Sequence, residues 1–156
     1  MQKMTRKRRP DPLAHIRHPV GAAILKRQIM LDLRSLLVDA QLHALMGAND
    51  PQLIDHGGRL AYITAQAARD CKLPEGPDLR IVTGMAHALA DLAAKRGDRD
   101  LHRLAIQSGL QAAERVLVQC DAWAIGKAAL MVDQRIQSAA GLTLHDIAPP
   151  KQETLA

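Results

Sequence analysis

The sequence predicts an all-α protein, an antiparallel four-helix bundle with a long C-terminal helix and a basic, disordered N-terminal arm. Hydrophobic residues make up 47% of the chain, yet Trp123 and Tyr62 are the only aromatic residues. A core of aliphatic side chains suits helices better than strands, which favour aromatic and β-branched residues. The short connections GAND, LPEGP and GDRD separate four segments with helical periodicity, and short connections favour antiparallel neighbours.

The chain of 156 residues has the length of one domain. We divide it into an arm of residues 1–20, a helical bundle of residues 21–141 and a tail of residues 142–156. No apolar run approaches the ~20 residues that a membrane span requires. Cys71 and Cys120 both fall on apolar helix faces and are not expected to pair, so we expect a protein of the reducing cytoplasm, with no membrane as its expected partner.

The first predicted helix spans residues 22–46, and Gly47 ends it. Its apolar residues form two stripes on different sides of the helix. The broad stripe comprises Leu25, Ile29, Leu33, Leu36, Leu37 and Ala40, and the smaller one comprises Leu31, Val38, Leu42 and Leu45. A helix with two apolar stripes needs two sets of neighbours.

The second and third predicted helices have clear start signals. Asp50 is placed to cap a helix over residues 50–72, with Pro51 at its first position, and Asp78 is placed to cap a helix that ends at residues 95–96. Polar residues, with Tyr62 among them, lie opposite the apolar face of the second helix. We therefore expect an ordinary surface helix there.

The last predicted helix begins after Asp98 or Asp100 and runs to about residue 138. Its core side includes Cys120 and Trp123. A helix of this length would reach nearly 60 Å. We expect it either to break near Gly109 or Gly126 or to project from the bundle.

A second apolar line runs along this long helix. Val118, Ile125 and Val132 recur at intervals of seven residues, and Ile136 follows them. An apolar ridge on the outside of a bundle is a candidate contact for a partner or for a second copy. The alternative is that Leu142, Leu144 and Ile147 of the tail fold back over the ridge.

The first nine residues of the N-terminal arm, MQKMTRKRR, concentrate positive charge. The chain has 21 Lys and Arg against 16 Asp and Glu, and residues 1–9 hold five of the cations and no acid, so the rest of the chain is formally neutral. Clustered cations neutralise phosphates without reading bases. The candidate nucleic-acid-binding residues are Lys3, Arg6, Lys7, Arg8 and Arg9, with Arg17, Lys26 and Arg27 as an extension. An acidic protein, a membrane surface or no specific partner remain alternatives.

The sequence contains no recognisable catalytic or cofactor motif. It lacks a phosphate-binding loop, a nucleophile elbow, a dinucleotide fingerprint and a zinc-protease motif. His15 and His18 have metal-ligand spacing without a completing set of ligands, and His87 with Asp91 is best interpreted as a solvated helix face. We expect a non-enzymatic protein without a metal or cofactor.

The segments KRRPDP and HPVG, followed by Ala- and Leu-rich stretches such as GMAHALADLAAKR, resemble small helical accessory proteins of proteobacterial phages and related mobile elements. The resemblance implies a mobile-element setting and no catalytic residue. The sequence thus predicts a small accessory or regulatory protein whose arm contacts DNA or RNA by non-specific electrostatics. The alternative is an adaptor or homodimer that acts through the long C-terminal helix, without nucleic acid.

Overall fold

The computed structural model describes residues 19–46, 50–138 and 141–142 of the chain. Within this part the chain forms five helices and no strand: α1 (Pro19–Met46), α2 (Asp50–Asp70), α3 (Pro77–Ala93), α4 (Arg99–Val118) and α5 (Ala122–Gln137). The predicted all-α class is confirmed. The predicted disordered arm lies outside the described residues, apart from residues 19–20, which begin α1.

The predicted long C-terminal helix is divided into α4 and α5. The interruption falls at residues 119–121 and at neither Gly109 nor Gly126, both of which lie inside helices. Asp121 starts the new helix, because its carboxylate accepts a hydrogen bond from the backbone N–H of Ala124 at 2.8 Å. The prediction of one helix was wrong because it did not take the capping side chain of Asp121 into account.

One predicted helix start is confirmed and another differs. Asp98 caps α4, accepting from the N–H groups of Asp100 and Leu101, as one of the two expected alternatives. Asp78 does not cap α3, because Pro77 occupies the first turn and extended Gly76 precedes it. Its carboxylate accepts hydrogen bonds from Arg115 of α4 instead.

Helix α2 lies at the centre of the fold and contacts all four other helices. Its polar side reaches solvent at Asp55 and Arg69, as expected, but α2 has more neighbours than an ordinary surface helix. Tyr62, predicted for its polar side, is only 2% exposed, and the guanidinium of Arg135 lies 5.9 Å from its ring centroid. Thr64 is fully buried, and its hydroxyl donates to the backbone oxygen of Leu60, which satisfies it inside the core.

Small residues allow the helices to approach closely. The buried core includes many alanines, listed along the chain as Ala40, Ala61, Ala65, Ala67, Ala68, Ala86, Ala88, Ala112, Ala113, Ala124 and Ala128. Gly109 of α4 lies directly against Met85 of α3, and Gly57 of α2 lies against Leu89 of α3. Trp123, predicted for the core, is only partly buried at the start of α5.

None of the helices in the described ranges combines the length and the hydropathy that crossing a membrane requires.

We predict that Gly109→Ala destabilises the fold. A Cβ atom at position 109 would overlap the Cβ of Met85, which cannot move without its backbone. Overpacking of this kind costs about 1 to 3 kcal/mol, which outweighs the higher helix propensity of Ala. The free energy of unfolding, measured by urea denaturation, tests this.

Gly58→Ala is the matched control. No atom lies within 4 Å of the Cβ position at Gly58, so the gain in helix propensity should stabilise the protein by up to about 1 kcal/mol. Equal changes in the free energy of unfolding for the two variants would contradict the close approach of α3 and α4.

Candidate functional surface on the first helix

Helix α1 is apolar on two opposite sides. On one side Leu33, Leu37 and Ala40 are buried in the core. The other side carries six large apolar residues that are between 49% and 70% exposed, and we call them the outer stripe: Ile24, Leu31, Val38, Leu42, Leu45 and Met46. With 3.6 residues per turn, these positions fall on the helix face opposite the buried ones. The described part of the chain therefore supplies only one of the two sets of neighbours that the sequence requires.

The sequence identified four members of the outer stripe, and it missed Ile24 and Met46. The missed signal is the heptad spacing of Ile24, Leu31, Val38 and Leu45, which is regular over the whole helix. A stripe that begins at Leu31 omits Ile24, which lies one heptad before it.

A groove of about 260 Å³ runs between α1 and α4 beside the outer stripe. Leu31 and Leu37 of α1 line it together with Leu110, Leu117 and Val118 of α4. Leu31 belongs to both features, and Val118 is 62% exposed. The apolar surface of α1 thus continues onto α4.

Charged residues flank the outer stripe with opposite signs on its two edges. Arg27 and Arg34 follow one edge, and Asp32 and Asp39 follow the other; all four are exposed. Within the chain, Arg34 pairs with Glu114 at 3.4 Å, and Asp32 accepts a hydrogen bond from Gln28 at 3.1 Å. Ion pairs as exposed as the Arg34 pair contribute little to stability.

Most of the predicted nucleic-acid-binding residues lie outside the described part of the chain. These are Lys3, Arg6, Lys7, Arg8, Arg9 and Arg17, together with the side chain of Lys26. Arg27 is described: it is exposed on α1 and lines the groove towards α4.

The predicted apolar ridge is not a continuous exposed strip. Ile125 and Val132 are 0% and 2% exposed and belong to the core. Val118 lines the groove beside α1, whereas Ile136 lines a separate groove together with Leu142 and residues of α2 and α3. The physical reason is the interruption at residues 119–121, which breaks the helical phase that the prediction carried from Val118 to Ile125. Leu144 and Ile147 lie outside the described residues.

A cluster of three charged residues joins the beginnings of α2 and α4. Asp50 accepts hydrogen bonds from Arg99 at 2.7 Å and from Arg103 at 2.6 Å. Arg103 is only 8% exposed, and its Nε has no hydrogen-bond partner among the described residues. The hydrogen bond from Arg99, with help from Arg103 and against the effect of burial, holds the pKa of Asp50 below its ordinary value.

The remaining candidates from the sequence do not assemble a site. Asp91 pairs with Arg96, at 3.3 Å, and His87 is exposed. Nowhere in residues 19–46, 50–138 and 141–142 do three His, Cys, Asp or Glu side chains meet in a group that could hold a metal ion. His15 and His18 lie outside these ranges.

Compared with known proteins, the chain matches no family model, and no curated protein or solved structure is significantly similar to it.

We predict that Asp50→Asn destabilises the protein at pH 7 by about 1 to 3 kcal/mol, because it leaves the buried guanidinium of Arg103 without its counter-charge. Folding lowers the pKa of Asp50, so the ionised carboxylate stabilises the fold above its unfolded pKa of about 3.9. That contribution is lost as the pH falls through the folded pKa. The difference between parent and variant, measured by urea denaturation, should therefore shrink below about pH 4.

Asp78→Asn is the control, since its partner Arg115 is largely exposed, with 54% of its side-chain surface accessible. This variant should lose less stability at pH 7 than Asp50→Asn. If the stability lost in Asp50→Asn did not change with pH, the role assigned to the carboxylate charge of Asp50 would be contradicted.

Proposed function

We propose that the chain is a non-enzymatic, cytoplasmic helical accessory protein of a mobile element that contacts nucleic acid through its basic arm. One observation carries this proposal: the whole formal net charge of +5 resides in residues 1–9. Phosphate backbones attract such a cluster through counterion release, which requires no fixed geometry. The arm has no aromatic residue for stacking on bases, so the contact is independent of sequence.

We also propose that successive helices run in alternate directions, as in the predicted antiparallel bundle. Two contacts support this. Asp78 in the first turn of α3 meets Arg115 in the last turn of α4. Cys71, just beyond the end of α2, lies 3.8 Å from Asp121, just before α5. Alternating directions bring such opposite ends together.

A second candidate function is a homodimerising helical module, in which a second copy of the chain covers the outer stripe. The observation that favours it is the exposure of six large apolar residues on one face of α1. A contiguous apolar surface of this kind marks an interaction site. The contact would then centre on α1, and not on the C-terminal helices as the sequence suggested.

The first proposal predicts a salt-dependent affinity for duplex DNA. With five cations in the arm, the slope of log K against log salt should be about −3 to −5. Deleting residues 1–9 should remove most of this slope and leave the thermal unfolding temperature unchanged, because the deletion removes no described core residue. Fluorescence anisotropy with a labelled DNA duplex measures the affinity of the parent and of the deletion variant at several salt concentrations.

Deletion of residues 143–156 provides the control and should keep the slope. Equal binding by the parent and the protein without residues 1–9 would overturn the proposal that the arm contacts nucleic acid.

The second candidate predicts a dimer at micromolar concentration. Leu31→Asp places a charge on the outer stripe and should yield monomers, because an unpaired carboxylate resists burial. Leu101→Asp is the matched control, since Leu101 is 63% exposed at the start of α4, away from the outer stripe. Sedimentation equilibrium gives the molecular mass in solution of the parent and of the two variants, and circular dichroism verifies that each is folded. A monomeric parent at 100 μM, roughly the upper limit of a useful affinity, would overturn this candidate.

A further inference from the structure

The outer stripe has the pattern of one helix of a two-stranded coiled coil. Ile24, Leu31, Val38 and Leu45 recur every seven residues, and Gln28, Ser35 and Leu42 alternate with them at spacings of four and three. In heptad notation the first set occupies d positions and the second set occupies a positions. All seven are exposed, so the seam is complete and uncovered by the described part of the chain. The seam is about 32 Å long.

The charged edges fall on the flanking heptad positions. Arg27 and Arg34 occupy g positions, and Asp32 and Asp39 occupy e positions. Each arginine is followed by an aspartate five residues later. In a parallel pair in register, a g residue of one helix meets the e residue five positions later in the other helix. All four arginines of the dimer, two from each chain, therefore meet aspartates.

The same charges disfavour the antiparallel arrangement. When two helices run in opposite directions, g positions meet g positions and e positions meet e positions. Arginine would then face arginine along one edge, and aspartate would face aspartate along the other. Like charges at such distances destabilise the pair.

The position of α1 in the fold leaves the outer stripe accessible to a second chain. The buried side of α1, with Leu33, Leu37 and Ala40, is opposite the seam. Two chains can therefore meet through their seams while their helical cores remain on the outside. Val118 and the groove beside Leu31 extend the apolar contact onto α4.

We propose that α1 forms a parallel, in-register homodimer through the outer stripe, with Arg27 and Arg34 of each chain paired with Asp32 and Asp39 of the other. This inference rests on the second candidate function and adds the direction and the register of the contact. Polar Gln28 and Ser35 at a positions weaken the pair and fix its register. A small apolar ligand in the groove would cover Leu31 and leave the rest of the seam exposed.

Cross-linking of single-cysteine variants tests the direction. Leu31→Cys and Leu45→Cys, each made with Cys71→Ala, should both cross-link to their own copies with a short bis-maleimide, since a parallel register places each residue beside itself. Cys120 is 1% exposed and should not react. Arg80→Cys, exposed on α3, is the negative control. The two stripe positions are about 21 Å apart along the helix, so an antiparallel pair could cross-link at most one of them.

Charge exchange tests the register. Arg27→Asp and Asp32→Arg should each raise the dissociation constant about tenfold, because each replaces two attractive contacts per dimer by two repulsive ones. The double variant, which restores opposite charges in the parallel register only, should return the constant to near the parent value. In an antiparallel pair positions 27 and 32 do not face each other, so the double variant would not restore the parent value.

The outcomes separate the inference from the candidate function on which it rests. A monomeric parent overturns both. A dimer that dissociates with Leu31→Asp keeps the homodimer. If it cross-links at only one stripe position, or if the double charge exchange fails to restore its affinity, the parallel register is overturned. Cross-linking at both positions, with rescue by the double charge exchange, supports the full proposal.

Discussion

The packing of α2 against all four other helices is the constraint on which the rest of the structure depends. A helix packed against four others can be accommodated only if its neighbours come close, and a core with almost no aromatic residues has little bulk to fill wider spaces. Alanines on α2 and glycines at the contacts with α3 satisfy this requirement. The polar groups on α2 must then find partners locally, as the hydroxyl of Thr64 does at Leu60. Asp50, at its first residue, holds the start of α4 through Arg99 and Arg103.

Because α2 occupies the centre, α1 lies on the outside with one apolar side still uncovered by described residues. The two proposed functions are compatible with this arrangement. In a parallel pair of α1 helices, the residues that precede α1 in both chains begin at the same end of the pair. Ten arm cations would then act on one nucleic acid, and joint binding raises avidity without any new type of contact.

The sequence predicted the helical class and the approximate helix starts because Asp, Pro and Gly signals act locally. It also revealed the two apolar sides of α1, because that helix is uninterrupted. It failed where a local signal was ambiguous. Asp121 can be an exposed helical residue or an N-cap, and a continuous helix through it misplaced Ile125 and Val132, which are buried. Periodicity also failed to place Tyr62 and Arg103, because their burial depends on neighbours that a single helix does not specify.

The order of the helices along the chain affects how the protein folds during synthesis. The buried side of α1 contacts α2, α4 and α5, so it is fully covered only after residues up to 137 have left the ribosome. Until then α1 has two exposed apolar sides. Such surfaces on incomplete chains recruit chaperones or promote aggregation. Contacts between nascent α1 helices on neighbouring ribosomes of one messenger would shorten that exposure, and would favour assembly between chains of the same origin.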